Sequence, residues 1–197
     1  MNQYFWLDNH FEWFPEGCTS GFGFKTVRDF VHNTPMPGSG ALKTVEYVAN
    51  ALAGREVQGT PPGAYVETLR AAAQETAHQV ERLRGGRSAD HVAGALTCTL
   101  YDLEAWSALG AYYADKIEAA VELASFEQSA EGARRDRAVE LLRRAYHSWQ
   151  RLAQVTSRHY VPYFHAAINR TFSWALLLDE VEQDITIAER WPAPPRA

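Results

Sequence analysis

Cysteine is nearly absent from this chain. Cys18 and Cys98 are the only two in 197 residues. Two thiols so far apart make a poor zinc signature, and they give no disulfide framework. They read as two unrelated thiols in a reducing compartment, with a disulfide between them as the alternative, since the sequence does not give their separation. Lysine is almost as scarce, with Lys25, Lys43 and Lys116 alone beside many arginines. Basic charge does not dominate: the formal net charge is −5. That balance argues against a general binder of nucleic acid or of anionic membranes. No apolar run reaches the roughly 18 residues of a membrane-spanning helix. The first residues lack a basic stretch followed by an apolar one, so no secretory signal is read there and a cytoplasmic location is expected. Also missing are a glycine-rich phosphate loop, a dinucleotide fingerprint, a His-Glu-x-x-His pair and a Gly-x-Ser-x-Gly elbow. No catalytic residue can therefore be named from motifs.

What is present is helix. An apolar fraction of 46% suits a packed globular chain. Residues 88–126 carry apolar or small side chains at alternating steps of four and three: Val92, Leu96, Thr99, Leu103, Trp106, Gly110, Tyr113, Ile117, Ala120 and Ala124. This spacing predicts one long helix burying a continuous seam. It leaves Tyr112, Asp115 and Lys116 on another face. A weak patch at Thr97, Cys98 and Thr99 is a place for a kink, with Asp102 near a new start. The long helix cannot be stable alone, so other helices must cover it.

The same alternation predicts three more long helices. Thr60 and Pro61 supply an N-cap hydroxyl and a first-turn proline for a helix over 60–84, with Val66, Leu69, Ala73, Thr76, Val80 and Leu83 inward. A helix over 133–159 places Ala138, Leu142, Ala145, Trp149, Leu152, Thr156 and His159 on its seam, and Pro162 stops it. A last helix over 169–190 turns Trp174, Leu177, Val181, Ile185 and Ala188 inward. Two short helices are expected earlier, over 26–31 and 44–53, the second closed by Gly54. Short connections make consecutive helices antiparallel neighbours. The expected fold is therefore all-α: an antiparallel four-helix bundle over 60–190, an aromatic, loop-rich segment with short helices over 1–59, and a tail over 191–197.

Three constellations bear on chemistry. Glu75 and His78 form the one Glu-x-x-His spacing, whereas a di-metal bundle site needs two such pairs and further inward carboxylates. No metal and no cofactor are expected, although a metal-dependent bundle enzyme stays as an alternative. Arg134, Arg135, Arg137, Arg143, Arg144 and Arg151 crowd one helix among Glu131, Asp136 and Glu140, which reads as a salt-bridged, solvated face. Residues 4–24 crowd eight aromatic rings into a stretch without helical period. Either they glue the segment to the helices or they bind a ligand. Aromatic faces stack on the C–H faces of sugars while polar neighbours bond the hydroxyls. Trp6, Asp8, His10, Trp13 and Glu16 are the ligand-binding candidates on that ground.

Two stretches carry a resemblance. WFPEGCTSGFGFKTVRDF over residues 13–30, followed by PGSG over 37–40, is the first. DLEAW over 102–106 with YYADKI over 112–117 is the second. Together they resemble the C-terminal helical part of large bacterial glycoside-hydrolase-like proteins, often described as carbohydrate-binding. The resemblance spans nearly the whole chain. In those proteins a catalytic-type barrel precedes the helical region, and this sequence has no counterpart to it. The resemblance thus implies a helical accessory domain, carbohydrate-associated and not catalytic alone, with a catalytic domain as its missing N-terminal partner. A scaffold that acts by self-association, as a homo-oligomer, or by partner binding is the alternative reading.

Overall fold

The computed structural model describes residues 4, 24–85, 94–165 and 169–193; of Ala95, His165 and Arg170 only the backbone is described. Six α-helices account for most of these residues. They are α1 (Val27–Val31), α2 (Thr44–Leu52), α3 (Pro62–Gly85), α4 (Gly94–Ser129), α5 (Gly132–Thr156) and α6 (Leu178–Glu189). A two-stranded antiparallel hairpin, β1 (Tyr163–His165) and β2 (Arg170–Phe172), and a 3-10 turn (Trp174–Leu177) lie between α5 and α6. No described helix is long and apolar enough to cross a membrane.

α4 is the axis of the fold. It packs against α5, α3, α1 and α2, and it runs through Thr97–Thr99 without the break that the sequence allows. Its connection to α5 is only Ala130 and Glu131, and Ala130 takes the left-handed conformation that reverses the chain (φ 57°). Polar contacts then follow an antiparallel register. Arg134 meets Glu122, Arg137 meets Glu118, Arg144 meets Asp115 and Arg151 meets Glu104. α3 runs antiparallel to α4 in the same way, with Arg70 at Asp115 and Arg84 at Glu104.

The seam of α5 is buried from Ala138 to Thr156 as its spacing predicts, but the helix ends at Thr156 and His159 is exposed. The expected burial of His159 is therefore wrong. Its ring stacks on Tyr101 of α4 at the surface instead. The α3 seam is buried at Val66, Ala73 and Val80, while Leu83 near its end is exposed. α3 starts with Pro62 rather than Pro61, because Thr60 is held in a bridge to Ala41. The helix expected over 169–190 is also corrected. Asn169 adopts a left-handed conformation (φ 51°), residues 170–172 pair with 163–165, and helix begins only at Leu178. Arg170, Thr171 and Phe172 prefer the strand once a partner strand is available.

α4 itself carries the largest correction. From Tyr112 to Ile117 every residue is buried, so Tyr112, Asp115 and Lys116 do not lie on a free face. One turn earlier the seam fails: Trp106 is 62% exposed. The middle of α4 is covered on several sides, its N-terminal part on fewer.

α1 and α2 close the other side of the core. Val27, Phe30 and Val31 are fully buried, as predicted, and Gly54 ends α2 with positive φ (64°). Tyr4 is buried too. Its hydroxyl donates to Phe30 O and shares a 2.7 Å hydrogen bond with Thr44 Oγ1, and Asn33 Nδ2 donates to Tyr4 O. Burial of the ring pushes the Tyr4 phenol far above its ordinary value. Trp191, in the stretch expected to be a non-helical tail, is buried and donates to Glu127 Oε1 at 3.0 Å.

Candidate functional site

Trp6, Asp8, His10, Trp13 and Glu16, and Cys18 with them, lie outside the described residues. The other expectations can be placed. Glu75 and His78 are both exposed on α3, and Glu75 accepts from Gln79 at 2.5 Å. Among the described residues no group of three His, Cys, Asp or Glu could hold a metal ion. The arginines of α5 form the mixed, salt-bridged face that their spacing suggests. Cys98 is an exposed free thiol on α4.

A concave surface with an aromatic lining lies elsewhere. α5 ends at Thr156, six residues before Pro162. The chain turns through Tyr160 and Val161 and comes back as the hairpin and the 3-10 turn. This return leaves a cleft of about 640 Å³ against the N-terminal half of α4. One wall is Asp102, Ala105, Trp106 and Leu109 of α4. The floor includes Leu152 and Thr156 of α5. The far wall carries Tyr163, Phe172, Trp174 and Leu176.

A run of ring contacts ties this far wall to the core. Tyr112 packs edge-on to Trp149 (4.7 Å between centroids), Trp149 to Trp174 (5.5 Å), Trp174 to Phe172 (5.4 Å) and Phe172 to its strand partner Tyr163 (5.9 Å). Edge and tilted geometries at these distances are the favoured ones for aromatic pairs. Trp149 Nε1 also donates to Trp174 O at 3.0 Å. The wall is thus rigid at its base, while Tyr160, Tyr163, Phe164 and Leu176 stay half-exposed at its rim. On the α4 side, the Tyr160 hydroxyl donates to Asp102 Oδ1 and fixes the end of α5 to α4. Beside it, Glu104 takes both Arg84 and Arg151.

Two polar clusters lie away from the cleft. Asp115 is buried and its Oδ1 accepts from Arg70 at 2.9 Å and Arg144 at 2.8 Å, so one carboxylate joins α3, α4 and α5. Burial outweighs both guanidinium groups and raises the Asp115 carboxyl above its ordinary value; Arg70 is raised in turn by Glu118 and Asp115. In the second cluster, Lys116 Nζ is enclosed by Asp184 Oδ2, Lys25 O and the Tyr112 hydroxyl, with the Phe24 and Phe30 rings 4.6 Å away. Both clusters join residues of different helices and work as fasteners between them.

The sequence reading missed the cleft because it sought aromatic density only at residues 4–24. Tyr160, Tyr163, Phe164, Phe172 and Trp174 show a second such concentration around Pro162. Phe172 and Trp174 fall within the helix expected over 169–190, which forms only from Leu178, and Tyr160, Tyr163 and Phe164 fall in the connection before it. Comparison with protein-family models, with curated proteins and with solved structures finds no match.

Proposed function

We propose that this chain is a helical accessory unit of carbohydrate processing that binds a glycan in the aromatic cleft and catalyses nothing alone. The observation that carries this reading is Trp106, 62% exposed at the cleft on a helix whose spacing would bury it. An exposed indole facing further rings suits the C–H face of a pyranose. Asp102, Thr156, Ser157 and Ser173 supply hydroxyl partners around it. In this reading α3, α4, α5 and α6 act as an antiparallel four-helix bundle that holds the walls. A catalytic domain of the kind implied by the resemblance is the partner it would serve. The exposed Cys98 thiol suits a reducing, cytoplasmic setting.

The test is calorimetric titration with a panel of neutral, amino and acidic oligosaccharides. Saturable binding to at least one class, lost in Trp106→Ala with the fold retained, is the expected result. No binding across the panel would overturn it.

One observation favours a second reading, in which the unit is a scaffold that docks a partner or a second copy. Val161 is 84% exposed, and Leu176 and Phe164 are exposed beside it. Aliphatic rims serve polypeptide contacts better than sugar contacts. Light scattering separates the two: a concentration-dependent dimer abolished by Val161→Asp supports docking, and a strict monomer counts against self-association.

A further inference from the structure

We infer that the cleft selects glycans whose sugar carries a protonated amine. This rests on the glycan-binding reading above and adds the chemical class of the ligand.

The inference comes from the charge inventory of the lining. Among the described residues of the lining, Asp102 is the only charged side chain. Two nearby guanidinium groups, Arg84 and Arg151, are committed to Glu104. His159 is turned onto Tyr101. Asp102 Oδ1 accepts from the Tyr160 hydroxyl, and among the described residues Oδ2 has no partner. The cleft therefore offers one carboxylate oxygen amid aromatic faces.

Three ligand classes meet this arrangement differently. A uronic-acid glycan would bring a carboxylate toward Asp102, with no cation among the described lining residues to receive it. A neutral sugar would stack on the rings but leave Asp102 Oδ2 without a charged partner. A primary ammonium on the sugar ring can donate to Oδ2 and lie against the negative π faces of Trp106 or Tyr160, so both features of the cleft are used at once. The protein's net charge of −5 favours the approach of such a cation.

The test compares three oligosaccharides of equal length by titration calorimetry: a β-1,4-linked glucosamine oligomer, its N-acetylated form and the corresponding glucose oligomer. The amine form should bind about tenfold more tightly than the other two, the size expected for one ion pair with cation–π support. Asp102→Asn can still accept from Tyr160, so it should keep the fold while removing most of this advantage. Asp136→Asn removes the same net charge far from the cleft, at an exposed residue paired only with Arg135, and should leave the advantage intact. Raised salt should narrow it. Equal binding of all three oligomers would overturn the inference and leave the glycan reading standing. So would equal losses in Asp102→Asn and Asp136→Asn, which would mean only general charge attraction. Failure of all three oligomers overturns the inference, and extension of that failure to the whole panel removes the glycan reading too.

Discussion

Lys116 Nζ and Asp184 Oδ2 meet 2.9 Å apart, with both side chains almost completely out of solvent. Neither charge could sit there alone, because desolvation of an unpaired ion costs several kcal/mol. Lys116→Met should therefore destabilise the fold by about 3–5 kcal/mol, since it leaves Asp184 buried and uncompensated. Lys116→Met combined with Asp184→Asn should recover part of the loss, because Asn can still accept the Val27 N–H bond that Asp184 Oδ1 takes at 2.7 Å. Urea unfolding of the two variants checks this. A double variant no more stable than the single one would contradict it.

Asp115 gives a pH dependence with a definite sign. Its carboxyl is raised in the folded state, chiefly by burial. The folded protein thus holds that proton more tightly than the unfolded chain does. Its contribution to stability is fully present below the ordinary carboxylate value and is lost as pH rises through the raised one. Asp115→Asn removes that slope. Stability of wild type relative to Asp115→Asn should fall as pH rises above the ordinary carboxylate range, about pH 4, as read from urea midpoints at each pH. A difference that rises instead would mean that the arginines, not burial, dominate.

Trp106 and Trp149 should respond in opposite ways to truncation. Trp149 is fully buried and touches both Tyr112 and Trp174. Trp149→Ala should cost about 3–5 kcal/mol. Trp106→Ala should change stability by no more than about 0.5 kcal/mol, as surface replacements usually do. Denaturation curves of the two variants decide this, and a large loss in Trp106→Ala would place that ring in the core.

Two glycines make a similar contrast. A Cβ on Gly110 would sit 3.4 Å from Ala73 Cβ, an ordinary contact between α3 and α4. Gly110→Ala should stabilise by up to about 1 kcal/mol through helix propensity. Gly59 has φ 137°, and a Cβ there would lie 2.6 Å from Gly40 O. Gly59→Ala should lose at least about 1 kcal/mol from backbone strain and that clash. Thermal melts of both variants check the opposite signs.

Much of this fold can be read locally. Val27, Phe30 and Val31 announce a short buried face, Gly54 closes its helix, and the α5 seam is right from Ala138 to Thr156. These features depend on side-chain spacing and backbone preference within one element. The errors need knowledge of a neighbour. Spacing shows that α4 has a seam but not how many sides of it are covered, so Trp106 looks like core and Lys116 like surface. The burial of Lys116 and Asp115 depends on Asp184, Arg70 and Arg144, which come from other helices. Residues 170–172 become a strand only because 163–165 lie beside them. The candidate site has the same origin. Its walls come from α4, the end of α5, the hairpin and the 3-10 turn, and no single stretch of sequence displays them together.

The hydrogen bond from Val27 N–H to Asp184 spans 157 positions. On the ribosome, α1 emerges long before its acceptor exists. Until Asp184 leaves the exit tunnel, the first turn of α1 lacks its carboxylate and Lys116 lacks its counter-ion. Closure of this side of the core is therefore a late event in synthesis. A nascent chain stalled before α6 should expose Val27, Phe30 and Val31 to chaperones that a chain stalled after it would hide.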